Sequence, residues 1–335
     1  MPILAYPLVQ LLVAAIVQAA AANQELHRFA YQRTLMGAAV KIILYAPQER
    51  SANLAAEAAF DRIAELDRIL SDYKPDSELS KLSDTAGKGR VVPLGTDLWT
   101  VLERSQQLAE RSGGAFDVTV GPYVRLWRRA RRNKEFPAAE RLAEARAAVG
   151  YQKLQLDPSR HTAQLLVPGM RLDLGGIAAG YAVDQAMAVL RRHDIRRALI
   201  DASGDILAAG PPPGEEGWRI GIAPLDAAGP PSRYLRLHDQ AVTTSGDAFQ
   251  HVVFDGQRYS HIVDPATGLG LTDQSSVTVI AADCITADSL ATAVCVLGPQ
   301  KGLRLIEETE HAAALIVRNR AGKVETVESS RFGEH

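Results

Sequence analysis

The sequence has few cysteines, few aromatic residues and almost no net charge. Only Cys284 and Cys295 occur among 335 residues, with no C-x-x-C pair or Cys/His cluster, so a zinc site is not expected. Cys295 stands in an apolar helical stretch and reads as core, and no spacing indicates a disulfide. Lys and Arg number 37 against 39 Asp and Glu, a formal charge of −2. That balance lacks the basic footprint of a nucleic-acid binder. Beyond residue 23 there is no long linker, repeat or low-complexity tract. Two common catalytic signatures are also missing. No G-x-S-x-G elbow surrounds Ser245, and the glycines after Asp173 run G-G-x-x-x-G rather than G-x-G-x-x-G. What remains is ordinary globular composition, 47% apolar and 23% charged, in a chain long enough for one large domain or two modest ones.

Residues 1–22 carry no charge and end in small residues, with an A-x-A pattern at Ala20 to Ala22. This resembles a secretory signal, so an exported, extracytoplasmic (periplasmic) protein is expected. No Lys or Arg precedes the apolar run, and an uncleaved membrane helix is the competing reading. No cysteine follows the run, which excludes a lipoprotein anchor.

Residues 51–70 place Leu54, Ala58, Ile63, Leu66 and Leu70 at near-helical spacing, with Ser51 as a candidate cap. A second helix is expected over 97–112, stopping at Gly113-Gly114. The run RLWRRARRNK, from Arg125 to Lys134, reads as a solvated helix face, with docking to an acidic partner as the lesser alternative. Residues 171–174 look like a short strand before a helix that starts beyond Gly175-Gly176. Asp255-Gly256 between two alternating runs predicts a type I′ hairpin. Further strands are expected at 198–201 and 276–281, an exposed loop at 211–217 and a helix at 286–298. Helices and hairpins mix without a βαβ rhythm, which points to an α+β fold.

Three constellations could carry chemistry. Asp288 and Thr292 are four apart on a predicted helix and share a face, offering a carboxylate and a hydroxyl suited to Mg²⁺. Such pairs are more often plain surface. Asp173-Leu-Gly175-Gly176 leads into a helix N-terminus, where free N–H groups can meet an anion. Tight strand–helix packing explains the same glycines equally well. Alternation places Tyr259, His261 and Val263 on one strand face, with His261 just before the Asp264-Pro265 turn. A histidine there can act as a general base, although most single histidines do not.

The order and wording of these blocks resemble the ApbE family of FAD:protein FMN transferases. The likeness runs through Met36-Gly37, Leu70-Ser-Asp-Tyr73, Gly114-Ala-Phe116-Asp117, Leu172-Asp173-Leu-Gly175-Gly176, Thr244-Ser245-Gly246-Asp247, His261-Ile-Val-Asp264-Pro265 and Ala287-Asp288-Ser-Leu-Ala-Thr292, covering about residues 34–310. It implies an α+β fold of mixed or antiparallel sheets with packed helices, forming one compact catalytic unit over 23–335. It further implies Mg²⁺-dependent cleavage of FAD, with FMN passed to a threonine of an exported or membrane redox protein and AMP released. Asp288, Thr292 and the Gly176 carbonyl would hold the metal, and His261 would be the base. Met36, Tyr73, Ala115, Phe116, Asp117, Asp173 and Ile262 would line the nucleotide site. Other readings are an FAD pyrophosphatase on the same site and a non-catalytic FAD carrier. The sequence departs from the family pattern at Ala38, at Ala179 and at Asp201-Ala-Ser203-Gly204-Asp205, positions that touch nucleotide binding rather than the metal pair.

Overall fold

The computed structural model describes residues 25–225, 229–231, 233–247, 250–320 and 322–334. The segment read as an export signal lies outside them. Among the described residues no helix is long and apolar enough to cross a membrane.

The chain opens with β1 (His27–Leu35), β2 (Ala38–Ala46), α1 (Glu49–Leu70), α2 (Glu78–Ser83), β3 (Val92–Pro93) and α3 (Thr96–Arg111). It continues through α4 (Gly121–Asn133), α5 (Ala139–Ala148), β4 (Leu154–Asp157), β5 (Thr162–Leu165) and α6 (Ala178–Arg192). Then come β6 (Ala198–Ala202), β7 (Asp205–Ala209), β8 (Trp218–Ile222), β9 (Arg233–Leu237), β10 (Gln240–Gly246), β11 (His251–Phe254) and β12 (Gln257–Ser260). The last elements are β13 (Gln274–Ala281), α7 (Cys284–Glu307), β14 (Ala313–Arg320) and β15 (Lys323–Glu328).

Eight strands form one sheet in the order β1-β2-β6-β7-β10-β13-β14-β15, antiparallel at every pairing. The α+β expectation holds, and the sheets are antiparallel rather than mixed. Both faces of the sheet are covered, as its alternation requires. Ile42 and Leu44 of β2 point to the face packed by α1, α6 and α7, and Ile43 points to the other. On that second face Trp218, Ile220 and Leu235 of the β8–β9 ribbon close a smaller core with Phe332. A third cluster joins α4 and α5 to Val263, with Phe254 and Tyr259 of the β11–β12 hairpin packed against it.

The predicted helices form close to the expected limits, for physical reasons that differ in detail. In α1 the buried stripe is Ala52, Ala55, Ala56, Ala59, Phe60, Ile63, Leu66 and Leu70, so Leu54 falls outside it and is exposed. Small alanines let α1 approach its neighbours closely. Ser51 is not its cap: Gln48 holds that position, and the Ser51 hydroxyl donates to the Gln48 carbonyl at 2.8 Å. Residues 171–174 are not a strand. Only Arg171 makes an isolated bridge, to Val120, because the neighbouring backbone is met otherwise. Leu172 N–H donates to the Ser83 hydroxyl at 3.2 Å and Asp173 N–H to the Val118 carbonyl at 2.8 Å. The Asp255-Gly256 turn is as predicted, with φ of 48° and 78°. The strand after it ends at Ser260, so alternation does not reach His261. The expected helix at 286–298 is the first part of α7, broken at Gly298 (φ 71°) and Pro299. Cys284 and Cys295 are both buried and free.

The contact between α6 and α7 fixes the site. A Cβ on Gly180 would stand 2.4 Å from the Cys284 carbonyl oxygen and 2.9 Å from the Asp288 Cβ. We predict that Gly180→Ala destabilises the protein. Alanine gains about 1 kcal/mol in helix propensity, but a clash with backbone that cannot rotate away costs about 1–3 kcal/mol and also forces the helices apart. Denaturant unfolding should show a lowered midpoint. An unchanged or raised midpoint would mean that the helices do not meet at this glycine.

Candidate active site

A cleft of about 770 Å³ opens where the β1–β2 turn, the loop after α1, α4, the start of α6 and residues 261–265 converge. That volume lies in the range of sites that enclose sizeable ligands. Met36, Tyr73, Ala115, Phe116, Asp117, Asp173, Gly176, His261, Ile262 and Thr292 all line it. Asp288 does not line the cleft but is buried behind it.

Met36 is presented by the β1–β2 turn at φ 52°, with Gly37 following at φ 75°. A non-glycine residue there is strained, and such strain gathers at functional sites. Asp117 is buried and accepts the Thr119 N–H at 2.7 Å and its hydroxyl at 2.6 Å, so its carboxylate also braces its own turn. Burial pushes its pKa up against those hydrogen bonds. Asp173 accepts Gly175 N–H at 2.9 Å through one oxygen and Arg128 at 2.8 Å through the other.

The helix N-terminus expected to meet an anion is partly occupied. Ile177 and Ala178 donate to the Leu174 carbonyl, and Gly180 N–H donates to Asp288 Oδ2 at 3.1 Å. The N–H groups of Gly176 and Ala179, both on the cleft wall, have no partner among the described residues. Gly176 must be glycine, because a Cβ would stand 2.7 Å from Thr292 Oγ1. Its closeness brings a main-chain segment, a hydroxyl and, one turn earlier on α7, the Asp288 carboxylate to one place. Ser245 reaches the same hydroxyl at 3.4 Å and has no histidine partner among the described residues, which disposes of a serine-hydrolase arrangement.

Three carboxylates crowd this end of the cleft. Asp288 is raised well above the usual carboxylate range, first by burial and then by Asp205, with the Gly180 N–H opposing. Asp205 lines the cleft and is raised to about 6 by burial, against a hydrogen bond from Thr243. Asp184 is raised to about 7, mainly by burial, although it accepts Cys284 N–H at 2.8 Å and Ile285 N–H at 2.9 Å. Among the described residues no Lys or Arg forms an ion pair with Asp205 or Asp288. Among the described residues no group of three or more His, Cys, Asp or Glu side chains is arranged to hold a metal ion, so a cation here would have to draw on Asp288 together with the Thr292 hydroxyl and the Gly176 main chain.

His261 sits where its backbone N–H donates to the Gln250 carbonyl at 3.0 Å, and its Nδ1 lies 3.1 Å from the same oxygen. A carbonyl can only accept, so this contact is a hydrogen bond only in the tautomer with Nδ1 protonated, leaving Nε2 as an acceptor. Burial holds the imidazole pKa below its ordinary value, with the nearby Arg131 acting in the same direction and Gln250 opposing. Tyr259, expected on the same face, packs instead against Trp127, Phe136 and Phe254.

The basic run is not simply a solvated face. Val124, Arg128 and Arg131, at i, i+4 and i+7 on α4, line the cleft, while Arg125, Arg129 and Arg132 face solvent. The buried Tyr123, Trp127 and Ala130 were the available signal, since they fix which stripe points inward. Asp205 was also missed as a cleft residue, although its turn was noted. In that turn Ser203 adopts φ 58°, a conformation costing a non-glycine residue about 1–2 kcal/mol. Its hydroxyl donates to the Ala39 carbonyl at 3.1 Å, a partial compensation.

An antiparallel sheet backed by helices, with a cleft of this volume and helix-start amides that lack a partner among the described residues, is an arrangement that can receive an anionic ligand. Residues 36–316 match the model of the ApbE family, and the chain belongs to that family. It is 34% identical to the FAD:protein FMN transferase of Treponema pallidum over 278 residues, 78% of this chain and 76% of the relative. The Haemophilus influenzae enzyme of the same name is 34% identical over 270 residues, 78% of each chain. The apo crystal structure of the flavinyl transferase ApbE from Pseudomonas stutzeri aligns with a TM-score of 0.81 at 30% identity, covering 92% of this chain and 96% of that one. The ApbE protein of Thermotoga maritima aligns at 0.82 and 30%, covering 92% and 99%.

The acidic cluster makes a pH prediction. Asp184 has a folded pKa of about 7 against 3.8 for the free side chain, so folding takes up a proton between those values. Its contribution therefore falls as pH rises from about 4 to about 7 and is constant above that. Asp184→Asn removes this dependence. The stability of the variant relative to wild type should rise across that window in denaturant titrations, and a pH-independent difference would contradict the assignment.

Proposed function

We propose that this protein transfers FMN from FAD to a hydroxyl group of an acceptor protein and releases AMP. The observation that carries the reading is one cleft lined by His261 with Nε2 available, by Thr292, and by Gly176 and Ala179 with N–H groups that lack a partner among the described residues, with the Asp288 carboxylate buried directly behind its wall. The names of the curated relatives support it.

In this reading the Asp288 carboxylate, the Thr292 hydroxyl and the Gly176 carbonyl would hold Mg²⁺, and a buried Asp288 without a Lys or Arg partner among the described residues fits that assignment. When bound, the ion would neutralise charge on the pyrophosphate. The chain itself supplies the rest. Gly176 and Ala179 N–H groups receive phosphate oxygens at the start of α6. Met36, Tyr73, Phe116 and Ile262 exclude water from the ring systems. Asp117 and Asp173 accept hydrogen bonds from the nucleotide. His261 takes the acceptor hydroxyl proton on Nε2 as that oxygen bonds to the FMN phosphorus. The bond from that phosphorus to the bridging oxygen breaks, and AMP leaves with the oxygen. A hydroxyl is a poor nucleophile until it loses its proton, so the base matters. The acceptor residue is a threonine of an exported or membrane redox protein. The apolar residues 1–22 support an extracytoplasmic setting.

Incubation with FAD, Mg²⁺ and a threonine-bearing acceptor peptide tests this. Covalent FMN on the peptide with stoichiometric AMP is expected. AMP with free FMN would instead mark an FAD pyrophosphatase, and unchanged FAD a carrier. Asp288→Ala should abolish AMP release and weaken FAD binding only when Mg²⁺ is present. Full turnover in that variant removes Asp288 from the mechanism.

His261→Asn should keep FAD affinity while slowing transfer by about 10²–10⁴-fold. In wild type the acid limb of the rate should fall below the ordinary histidine pKa, because burial depresses it and only the neutral ring accepts a proton. Transfer at the wild-type rate would rule out the base. Joint loss of thermal stability and FAD affinity would assign His261 a structural role.

A further inference from the structure

The proposed function leaves Arg128 without a task, although it is one of the cations that reach the cleft from α4. Its surroundings are unusually complete. Its Nη2 donates to Asp173 Oδ2 at 2.8 Å, and its Nη1 pairs with Asp72 from the loop after α1. Its Cζ lies 4.2 Å from the centroid of the Tyr73 ring. The guanidinium is a quarter exposed and Asp173 only 9%, so the pairs are not ordinary surface contacts. Tyr73 is the opposite, 74% exposed at the cleft wall. The backbone of its loop is tied down by Ser77, whose hydroxyl donates to the Ser71 carbonyl at 2.6 Å. The Tyr73 side chain has no described hydrogen bond, and the cation–π contact with Arg128 is the ring contact described for it.

We propose that Arg128 is a positioning residue that holds Tyr73 as a stacking platform for one planar ring system of the dinucleotide. This rests on the FAD reading given above. Two carboxylates take the edges of the guanidinium, which fixes its plane and leaves a face for the tyrosine. The outer face of that tyrosine is then free to receive a second aromatic ring, giving a cation–ring–ring stack. The same cation separates Asp72 and Asp173, two like charges that would otherwise repel both one another and an anionic ligand. Lysine cannot substitute, since an ammonium has neither the plane nor the fork.

FAD titrations followed by flavin fluorescence test this with wild type, Arg128→Lys, Tyr73→Leu and the double variant. Each single change should weaken FAD binding about tenfold, and the double variant should be no weaker than Tyr73→Leu alone. Thermal unfolding is read alongside, since Arg128→Lys keeps the charge and should keep the fold. Tyr73→Trp should tighten binding in the wild-type background and not when combined with Arg128→Lys, a dependence that a merely structural arginine would not produce. Separate titrations with riboflavin and AMP identify the stacked ring, with a loss confined to one of them expected. The proposal is overturned if Arg128→Lys binds as wild type does, if the two losses multiply, or if riboflavin and AMP are affected equally. Wild-type protein without measurable FAD affinity would refute the nucleotide reading itself, a result distinct from all of these.

Discussion

The hydrogen bond from Gly180 N–H to Asp288 is the contact on which the site depends. It ties the first turn of α6 to the first turns of α7, and it exists only because glycine lets the two backbones meet. The same approach puts Gly176 against Thr292. Loops, hydroxyl and carboxylate are thus registered by helix packing rather than by flexible side chains. The antiparallel sheet underneath holds α7 against β10 and β13, so the geometry is inherited from a rigid layer.

Charge is arranged around that contact in two zones. Near α7, Asp288 is buried and Asp184 and Asp205 are half-buried, with little positive charge to offset them, and all three are pushed toward their neutral forms. At the other end, α4 brings Arg128 and Arg131 to the cleft wall. There Arg128 is already met by Asp72 and Asp173, so an anionic ligand would gain chiefly from Arg131 and from a counter-charge beside the carboxylates.

Much of this was legible in the sequence, and the misses have physical causes. Residues Asp255-Gly256 specified their turn because both central positions need positive φ. Helical spacing put Asp288 and Thr292 on one face but could not tell them from an ordinary surface pair, a distinction only the family resemblance offered, and the helix around them ends where Gly298-Pro299 breaks it. Periodicity found α1 and its buried Ile63, Leu66 and Leu70 but misplaced Leu54, because half of the buried stripe is alanine, which a count of large apolar residues overlooks. It failed at 171–174 because a strand-like composition was satisfied by Ser83 and a loop carbonyl, partners no local pattern encodes. Arg128 was hidden inside a basic run whose inward stripe only Tyr123, Trp127 and Ala130 reveal. The crowding of Asp205, Asp184 and Asp288 is purely tertiary and has no sequence signature.

Met36 carries a consequence for how such a chain can change. It occupies the tip of the β1–β2 turn at a backbone angle that glycine or asparagine would adopt with less strain. Substitution toward either would be a natural route to a more stable hairpin, yet it would strip a large apolar side chain from the cleft wall. Stability selection and ligand selection therefore pull this single position in opposite directions.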